Sequence, residues 1–276
     1  ANAGIIPSNW TFIILARYLN HESAIKAGDY ELTGNLSQIA LLDYLIKGNA
    51  KQNEIKFIEG WTFAQIRKVL NEHPAIEYKS AGLSDQQILQ HIGASETAVE
   101  GIFFPDTYYF IKGSSDLDIL QRAYKTMQNH LQNYWSERVE SLPLNTPYEA
   151  LILASIIEKE TGAESDRAEI AGVFINRLRK GMKLQTDPTV IYGLGEQFDG
   201  NLRKKDLLAD QEYNTYTRAG LPPTPISLPS LASIRAALNP AETDALYFVA
   251  KGNGESEFST NLADHNKAVN KYQKQQ

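Results

Sequence analysis

The most constraining feature of the sequence is an apolar helix that ends on acidic residues. From residue 148 the chain reads YEALILASIIEKETG, so an apolar run passes directly into Glu158, Lys159 and Glu160. A carboxyl group at the C-terminal end of such a helix is withdrawn from water, and the negative end of the helix dipole disfavours its anion. Both effects raise the pKa of the carboxyl group, which is what a proton donor requires.

Helical spacing separates the two glutamates, because residues three and four apart share a helix face and residues two apart do not. Glu160 follows Ile156 by four positions and Ile157 by three, so it extends the apolar stripe. Glu158 follows Ala154 and lies on a smaller, more polar face. We therefore predict that Glu160 is the buried carboxyl group, and that Glu158 faces solvent or supports the site. The alternative is an ordinary helix end with solvated charges.

Composition excludes several classes of function. The net charge of -6 argues against nucleic acid as a bulk partner, and the absence of cysteine excludes disulfides, thiolate metal sites and cysteine nucleophiles. The histidines are scattered without ligand spacing, so no metal and no cofactor is predicted, and His265 is expected to make a structural hydrogen bond. No apolar run approaches the ~18 residues of a membrane span. Because the chain begins with Ala, we expect a processed or truncated piece.

The order of the elements predicts an α+β fold that begins with a small α/β module over residues 1–75. This module contains a helix at 36–47, a strand at 54–58, and a helix from Thr62 to Leu70 with Thr62 as its N-cap. A strand, a turn and a Thr-capped helix resemble one half of a LysM-like sugar-binding module. A generic βα unit is an equally good interpretation.

Residues 76–115 are predicted to be a connector that includes the aromatic segment EGIFFPDTYYF at 100–110. Pro105-Asp106 imposes a turn between the two aromatic groups. The segment is either a pair of core strands or an aromatic wall for a sugar ring.

The third predicted part, residues 116–276, is a mixed helical and β catalytic domain. It contains a long amphipathic helix at 116–140, a helix at 166–180 after the acidic residues, and a C-terminal hairpin with a closing helix at 263–273. From residue 184 onward the chain is predicted to be irregular, and long irregular loops are usually functional. Polar residues in these loops suit a polyhydroxylated ligand. They are Gln185, Thr186, Asp187, Asn214, Thr215, Tyr216, Thr260, Asn261 and His265.

Several long motifs carry a family resemblance over about residues 50–270. They are EGIFFPDTYYF, LASIIEKET, VFINRLRKGMKLQTDPTVIYGLG, YNTYTRAGLPPTPIS and YFVAKGNGESEFSTNLADHNKAV. In this order they resemble the endolytic murein transglycosylases of the YceG-like family. The resemblance implies cleavage of the β-1,4 bond between N-acetylmuramic acid and N-acetylglucosamine in nascent glycan strands, with 1,6-anhydro product ends.

The resemblance also implies a location and partners. Members of this family are bacterial and are held at the periplasmic face of the inner membrane by one N-terminal helix, so this chain resembles the soluble ectodomain without its anchor. The implied partners are peptidoglycan glycan strands and peptidoglycan synthases. The LysM-like label of the N-terminal module is likewise an implication of the resemblance.

For the site, the resemblance implies a single acid and base on a lysozyme-like helix. Glu160-Thr161 resembles the Glu-Ser pair of lysozyme-like transglycosylases, which agrees with the choice of Glu160 by helix face. Predicted substrate-binding residues are Glu158, Gln185, Thr186, Asp187, Tyr192, Asn214, Thr215 and Tyr216.

Two other functions stay open from the sequence. Glu164, Asp166 and Asp187 are close enough in sequence to reach the same cleft, and a second carboxylate across a water from Glu160 would permit lysozyme-like hydrolysis. A non-catalytic peptidoglycan-binding or scaffold protein is the other alternative, because the LysM-like plan and the polar loops suit sugar binding alone.

Overall fold

The computed structural model describes residues 9–26, 30–32, 36–48, 52–160 and 164–273. Its helices and strands form a mixed arrangement, which confirms the α+β class. The α-helices of the described ranges are α1 (Asn9–Tyr18), α2 (Gln38–Lys47), α3 (Phe63–Glu72), α4 (Asp85–Ile92), α5 (Asp116–Ser136), α6 (Pro147–Glu160), α7 (Glu164–Arg179), α8 (Asp187–Leu194), α9 (Lys204–Leu208), α10 (Leu231–Leu238) and α11 (Leu262–Tyr272). The strands are β1 (Asn53–Lys56), β2 (Ile76–Glu77), β3 (Thr107–Phe110), β4 (Ser114–Ser115), β5 (Tyr247–Ala250) and β6 (Ser256–Ser259).

The strands form three two-stranded sheets in the described part of the chain. β1 pairs antiparallel with β3, β2 pairs parallel with β4, and β5 pairs antiparallel with β6. None of the helices in the described ranges combines the length and apolar character needed to span a bilayer.

Helix α6 is the central element of the fold. Residues 150–157 are all buried, because a helix that is apolar on every side must be covered on every side. α5, α7, α8 and α10 pack around it. The resulting hydrophobic core is continuous from Ile55 to Leu238.

The long periodic segments fold as predicted. Helices lie at or close to 36–47, 62–70, 116–140, 166–180 and 263–273, and the C-terminal hairpin is present as β5 and β6. Their ends follow local chemistry: the Ser37 hydroxyl accepts from Ala40 N at 3.1 Å to begin α2, and Gly48 ends it in the left-handed region at φ 73°.

The prediction of an irregular chain from residue 184 onward was wrong. This region contains α8, α9 and α10, which are eight, five and eight residues long. Helices of about two turns carry too few residues for a periodic pattern. Their signals are local instead: Pro188 lies in the first turn of α8, and the Ser230 hydroxyl caps α10 by accepting from Ser233 N at 3.2 Å.

The aromatic segment belongs to the core. Phe103, Phe104, Tyr108 and Phe110 are buried, and Tyr109 is 53% exposed. The arrangement matches the core interpretation rather than the aromatic wall, although β3 pairs with β1 and not with a strand of its own segment.

The β1–β3 sheet joins residues on both sides of position 75. β1 lies in the predicted 1–75 module and β3 in the predicted connector, with α3, β2 and α4 between them, so the order is β-α-β-α-β. The division into 1–75, 76–115 and 116–276 stays a prediction. The segment expected to be a strand at 27–35 lies largely outside the described residues, and Tyr30–Leu32 is not in a strand.

Candidate active site

The C-terminal end of α6 meets a cavity of about 470 Å³. Walls from α7, α8, the β5–β6 hairpin and α11 complete it. Its polar and charged lining includes Glu160, Arg177, Gln185, Asp187, Tyr216 and His265. Charged groups from distant parts of the sequence therefore share one concave surface with the last residue of the apolar helix.

The surroundings of Glu160 favour its protonated form. Desolvation raises the pKa of its carboxyl group to about 7, and the negative charge of Asp187 acts in the same direction. The Thr186 hydroxyl donates to Glu160 Oε1, and this hydrogen bond and the Arg177 charge oppose the rise without cancelling it. Glu160 can therefore give up a proton near neutral pH and take it back.

The turn before α8 places Thr186 at Glu160. The Thr186 backbone N–H donates to Thr215 Oγ1 at 3.0 Å, and Gln185 N donates to the Thr215 carbonyl oxygen at 3.1 Å. Thr215 Oγ1 also shares a hydrogen bond of 2.9 Å with Thr189 Oγ1. Gln185 adopts φ 50°, a conformation that non-glycine residues rarely take. The buried Thr215 thus fixes a strained turn whose next residue contacts the candidate acid.

Asp187 and Tyr216 form a second polar pair in the cavity. The Tyr216 hydroxyl donates to Asp187 Oδ1 at 2.5 Å. Burial raises the pKa of Tyr216, so the hydroxyl stays a neutral donor. This hydrogen bond holds the Asp187 carboxyl group in place in the same cavity as Glu160.

Two predicted site residues, Tyr192 and Asn214, lie elsewhere. The Tyr192 hydroxyl donates to Glu100 Oε2 at 3.1 Å. Asn214 is fully buried, and its amide donates to three backbone carbonyls at the end of α9. Neither residue lines the cavity. Asn214 instead supports the loop that carries Thr215 and Tyr216, since its Oδ1 accepts from Tyr216 N at 2.8 Å.

Glu158 does not face solvent, which corrects one of the two expectations for it. Its Oε2 accepts from Ser230 N at 2.9 Å, from Ser230 Oγ at 2.6 Å and from Ser233 Oγ at 2.6 Å. A carboxylate is favourable at the positive end of α10. Glu158 therefore fastens α10 to α6 and does not line the cavity.

Sequence reasoning missed Arg177 and Tyr247 as cavity residues and assigned His265 a structural hydrogen bond. Arg177 is only 7% exposed. A signal was present, because Arg177 follows Val173 by four positions and Phe174 by three, and both of these apolar residues are buried. His265 Nδ1 is buried without a hydrogen-bond partner in the described ranges, so the expected structural bond is not found there.

Of the additional carboxylates, Asp187 lines the cavity. Asp166 is buried, and its Oδ2 accepts from Ser256 N at 2.5 Å, which holds the start of β6. The side chain of Glu164 and the whole of Thr161 lie outside the described residues. Within the described ranges, no cluster of three or more His, Asp or Glu side chains is arranged to hold a metal ion.

Comparison with known proteins identifies the family of the chain. A model of the YceG-like family matches residues 1–271. The endolytic murein transglycosylase of Bacillus subtilis is 35% identical over 286 residues, covering 97% of this chain and 78% of that protein. The endolytic murein transglycosylase of Streptococcus pneumoniae D39 is 29% identical over 301 residues, and this chain spans 54% of its length.

A solved structure is also similar. The 2.6 Å crystal structure of a yceG-like protein from Listeria monocytogenes aligns with a TM-score of 0.62 at 30% identity. The alignment covers 95% of this chain and 90% of the Listeria chain.

Proposed function

The chain belongs to the YceG-like family, and we infer that it is a lytic transglycosylase that cleaves murein, the peptidoglycan of the bacterial cell wall. The reaction is an endolytic cut of the β-1,4 bond between N-acetylmuramic acid and N-acetylglucosamine. The observation that carries the chemistry is the desolvated carboxyl group of Glu160, which has a pKa of about 7 and lines the cavity.

Glu160 serves as both the acid and the base. Its proton goes to the glycosidic oxygen, the bond from that oxygen to C1 breaks, and the acetamido oxygen of the same sugar stabilises the positive charge at C1. The C6 hydroxyl oxygen then bonds to C1, and its proton returns to Glu160. No water is consumed, so one carboxyl group is sufficient. Acid and base catalysis contributes about 10²–10⁴ in rate, and positioning supplies the remainder.

The neighbours of Glu160 support this cycle. The negative charge of Asp187 helps to keep Glu160 protonated before the first step. The Thr186 hydroxyl and the Arg177 charge favour the ionised form that exists between the two steps. Gln185 and Tyr216 line the same cavity and are candidates for contact with the sugar.

Hydrolysis is the second candidate, because Asp187 shares the cavity with Glu160. A base that activated water would convert the transglycosylase into a lysozyme-like hydrolase. The hydrogen bond from Tyr216 at 2.5 Å occupies one oxygen of Asp187, which disfavours this role.

We also propose the finer assignments of module, location and partner. The antiparallel pairing of β1 with β3, with α3 and α4 and the two-residue strand β2 between them in the chain, supports a LysM-like unit that holds the glycan near the cavity. Murein synthesis takes place at the periplasmic face of the inner membrane, so that face is the proposed location. Peptidoglycan synthases, which supply nascent strands, are the proposed partners.

The test is the mass of the products from uncrosslinked glycan strands. We expect fragments with 1,6-anhydro ends, whose masses sum to that of the substrate. Fragments heavier by one water would establish hydrolysis instead. E160Q should abolish cutting, whereas E149Q, a change of the same type at the other end of α6, should not. Equal cutting by E160Q and the wild type would remove Glu160 from the mechanism.

A further inference from the structure

Glu100 has a buried carboxyl group outside the cavity, and the proposed mechanism does not use it. Only 7% of the residue is exposed. Its Oε1 accepts from the backbone N–H of Phe63, the first residue of α3, at 2.9 Å. Its Oε2 accepts from the hydroxyl of Tyr192, on α8, at 3.1 Å. One carboxyl group therefore ties the start of α3 to α8.

Burial makes the hydrogen bonds of Glu100 costly to break. Desolvation raises the pKa of its carboxyl group to about 7, and the charge of Asp85 acts in the same direction. The hydrogen bonds from Phe63 N, the Tyr192 hydroxyl and Gly101 N oppose this rise. A buried oxygen that loses its donor is left unsatisfied, which costs more than the loss of a solvated bond. The bond from Tyr192 to Glu100 is therefore a firm constraint.

The helix held by this bond also carries the contacts with the candidate acid. Thr186 is the N-cap of α8, and its hydroxyl donates to Glu160 Oε1. Asp187 is the first residue of α8 and lines the cavity. Tyr192 follows Asp187 by five positions, which is about 7 Å along a helix that rises ~1.5 Å per residue. Because a short helix moves as one rigid element, a displacement of Tyr192 is passed on to Thr186 and Asp187.

Tyr192 is the one polar side chain in the second half of α8. The other residues of this half are Ile191, Gly193 and Leu194. Apolar contacts are non-directional, whereas a hydrogen bond prefers a narrow range of distance and angle. The bond to Glu100 therefore determines where this half of α8 lies relative to α3.

We propose that Glu100 is a positioning residue for the candidate active site, which acts through Tyr192 to hold α8 so that Thr186 and Asp187 stay in place at Glu160. This rests on the role of Glu160 in the proposed function. Neither Glu100 nor Tyr192 lines the cavity, so neither is assigned a contact with the glycan. Residues 53–110, which contain Glu100 and extend from β1 to β3, then contribute to catalysis by aligning the acid.

The first test measures the pKa of Glu160 by ¹³C NMR in the absence of any substrate, with its carboxyl signal assigned by its loss in E160Q. The Thr186 hydrogen bond lowers this pKa by more than Asp187 raises it, and it is the more sensitive of the two to distance. A displaced α8 should therefore raise the pKa of Glu160 in Y192F and in E100Q. Y124F is the matched control, since the Tyr124 hydroxyl also donates to a glutamate, Glu96 Oε2 at 2.8 Å, and should leave this pKa unchanged. An unchanged pKa in both Y192F and E100Q would overturn the proposal.

The second test measures the turnover of uncrosslinked glycan strands. Y192F should lower kcat about tenfold and leave KM within about twofold, because misplaced catalytic groups are costly and the cavity lining is intact. Y124F should keep the kcat of the wild type. The double variant E100Q/Y192F should be no slower than the slower single variant, because both changes remove the same link.

Two kinetic results would overturn the proposal. Losses in kcat that multiply in E100Q/Y192F would show that the two residues act separately, and a raised KM with unchanged kcat would place them in glycan binding. If E100Q does not fold, Y192F carries both tests, since it loses a single hydroxyl group. A wild type that cuts no glycan would refute the proposed function, and the NMR test would still decide whether Glu100 positions α8.

Discussion

At the residue scale, Glu158 and Glu160 show how two positions on one helix can separate two roles. Glu160 should give activity that falls as pH rises through about 7, because its protonated form is the acid. A pH–rate profile measures this. A profile that is flat between pH 5 and 8 would contradict a Glu160 acid.

The same pKa shift predicts a pH-dependent stability. The folded pKa of Glu160 is about 7 and lies above its ordinary value of 4.5, so its stabilising contribution is present below pH 4.5 and is lost as pH rises through 7. E160Q lacks this loss. Relative to the wild type, it should gain about 1–3 kcal/mol in unfolding free energy between pH 4.5 and 8. Urea unfolding of both proteins at both pH values is the measurement. If the difference in unfolding free energy between E160Q and the wild type is the same at pH 4.5 and pH 8, the raised pKa of Glu160 is contradicted.

Replacement of Glu158 should lower the stability of the protein and leave the pH dependence of its activity unchanged. E158Q weakens an acceptor of three hydrogen bonds from Ser230 and Ser233, so we expect a loss of about 1–3 kcal/mol in unfolding free energy. The pH at which activity falls should not move, because Glu160 is untouched. Chemical unfolding and the pH–rate profile, with E160Q measured alongside, separate the two roles. A shift of the profile in E158Q would place Glu158 in the catalytic step.

The residues also mark where sequence reasoning reaches its limit. Helix periodicity is local, so it was sufficient to distinguish Glu160 from Glu158 by face. The partners of Glu158 are 72 and 75 positions away, and no local pattern indicates that Ser230 and Ser233 return to it. Asn214 was misplaced for the same reason, since a polar residue in a loop can serve either the ligand or the backbone.

At the scale of elements, the turn before α8 determines where Thr186 lies. T215V replaces the buried hydroxyl group by a methyl group and removes the acceptor of Thr186 N–H. We expect kcat to fall tenfold or more, because small displacements of catalytic groups are costly. T217V is the control in the same loop, since the Thr217 hydroxyl bonds to Asp210 and not to the turn. Equal effects of the two variants on kcat would show that the loop, and not the turn, is responsible.

The elements differ in how well the sequence reveals them. α5 has 21 residues and a long apolar stripe, which was recognised, whereas α10 has 8 residues and a Ser230 cap and was not. α10 nevertheless packs extensively on α6. Short helices are stabilised by tertiary packing more than by their own sequence, so their existence depends on contacts that a pattern does not contain.

At the scale of the whole molecule, three contacts connect the unit from β1 to β3 with the predicted catalytic part. Leu228 exchanges backbone hydrogen bonds with Gly60 at 2.8 Å and Trp61 at 2.7 Å. The second contact is made by Glu100, which accepts from the Tyr192 hydroxyl at 3.1 Å and, within the unit, from Phe63 N at 2.9 Å. The third contact is the close approach of Gly101 to residues 225–227. The module boundary predicted at 75 could not include these contacts, because they connect segments more than 90 positions apart.

Gly101 provides the test of this connection. Its φ is +75°, and a Cβ there would lie 2.3 Å from Pro225 Cβ and 3.0 Å from the Ser227 carbonyl oxygen. G101A should therefore cost about 1–2 kcal/mol in backbone strain and about 1–3 kcal/mol more in steric overlap. Gly82 has φ +76° with nothing within 4 Å of its Cβ position, so G82A reports the backbone strain alone. Because one core extends from Ile55 to Leu238, Trp fluorescence and circular dichroism should show a single coincident unfolding transition at lower denaturant. Two separate transitions in the wild type would mean that the two parts fold independently. Equal midpoints for G101A and G82A would mean that the contact at Gly101 does not couple them.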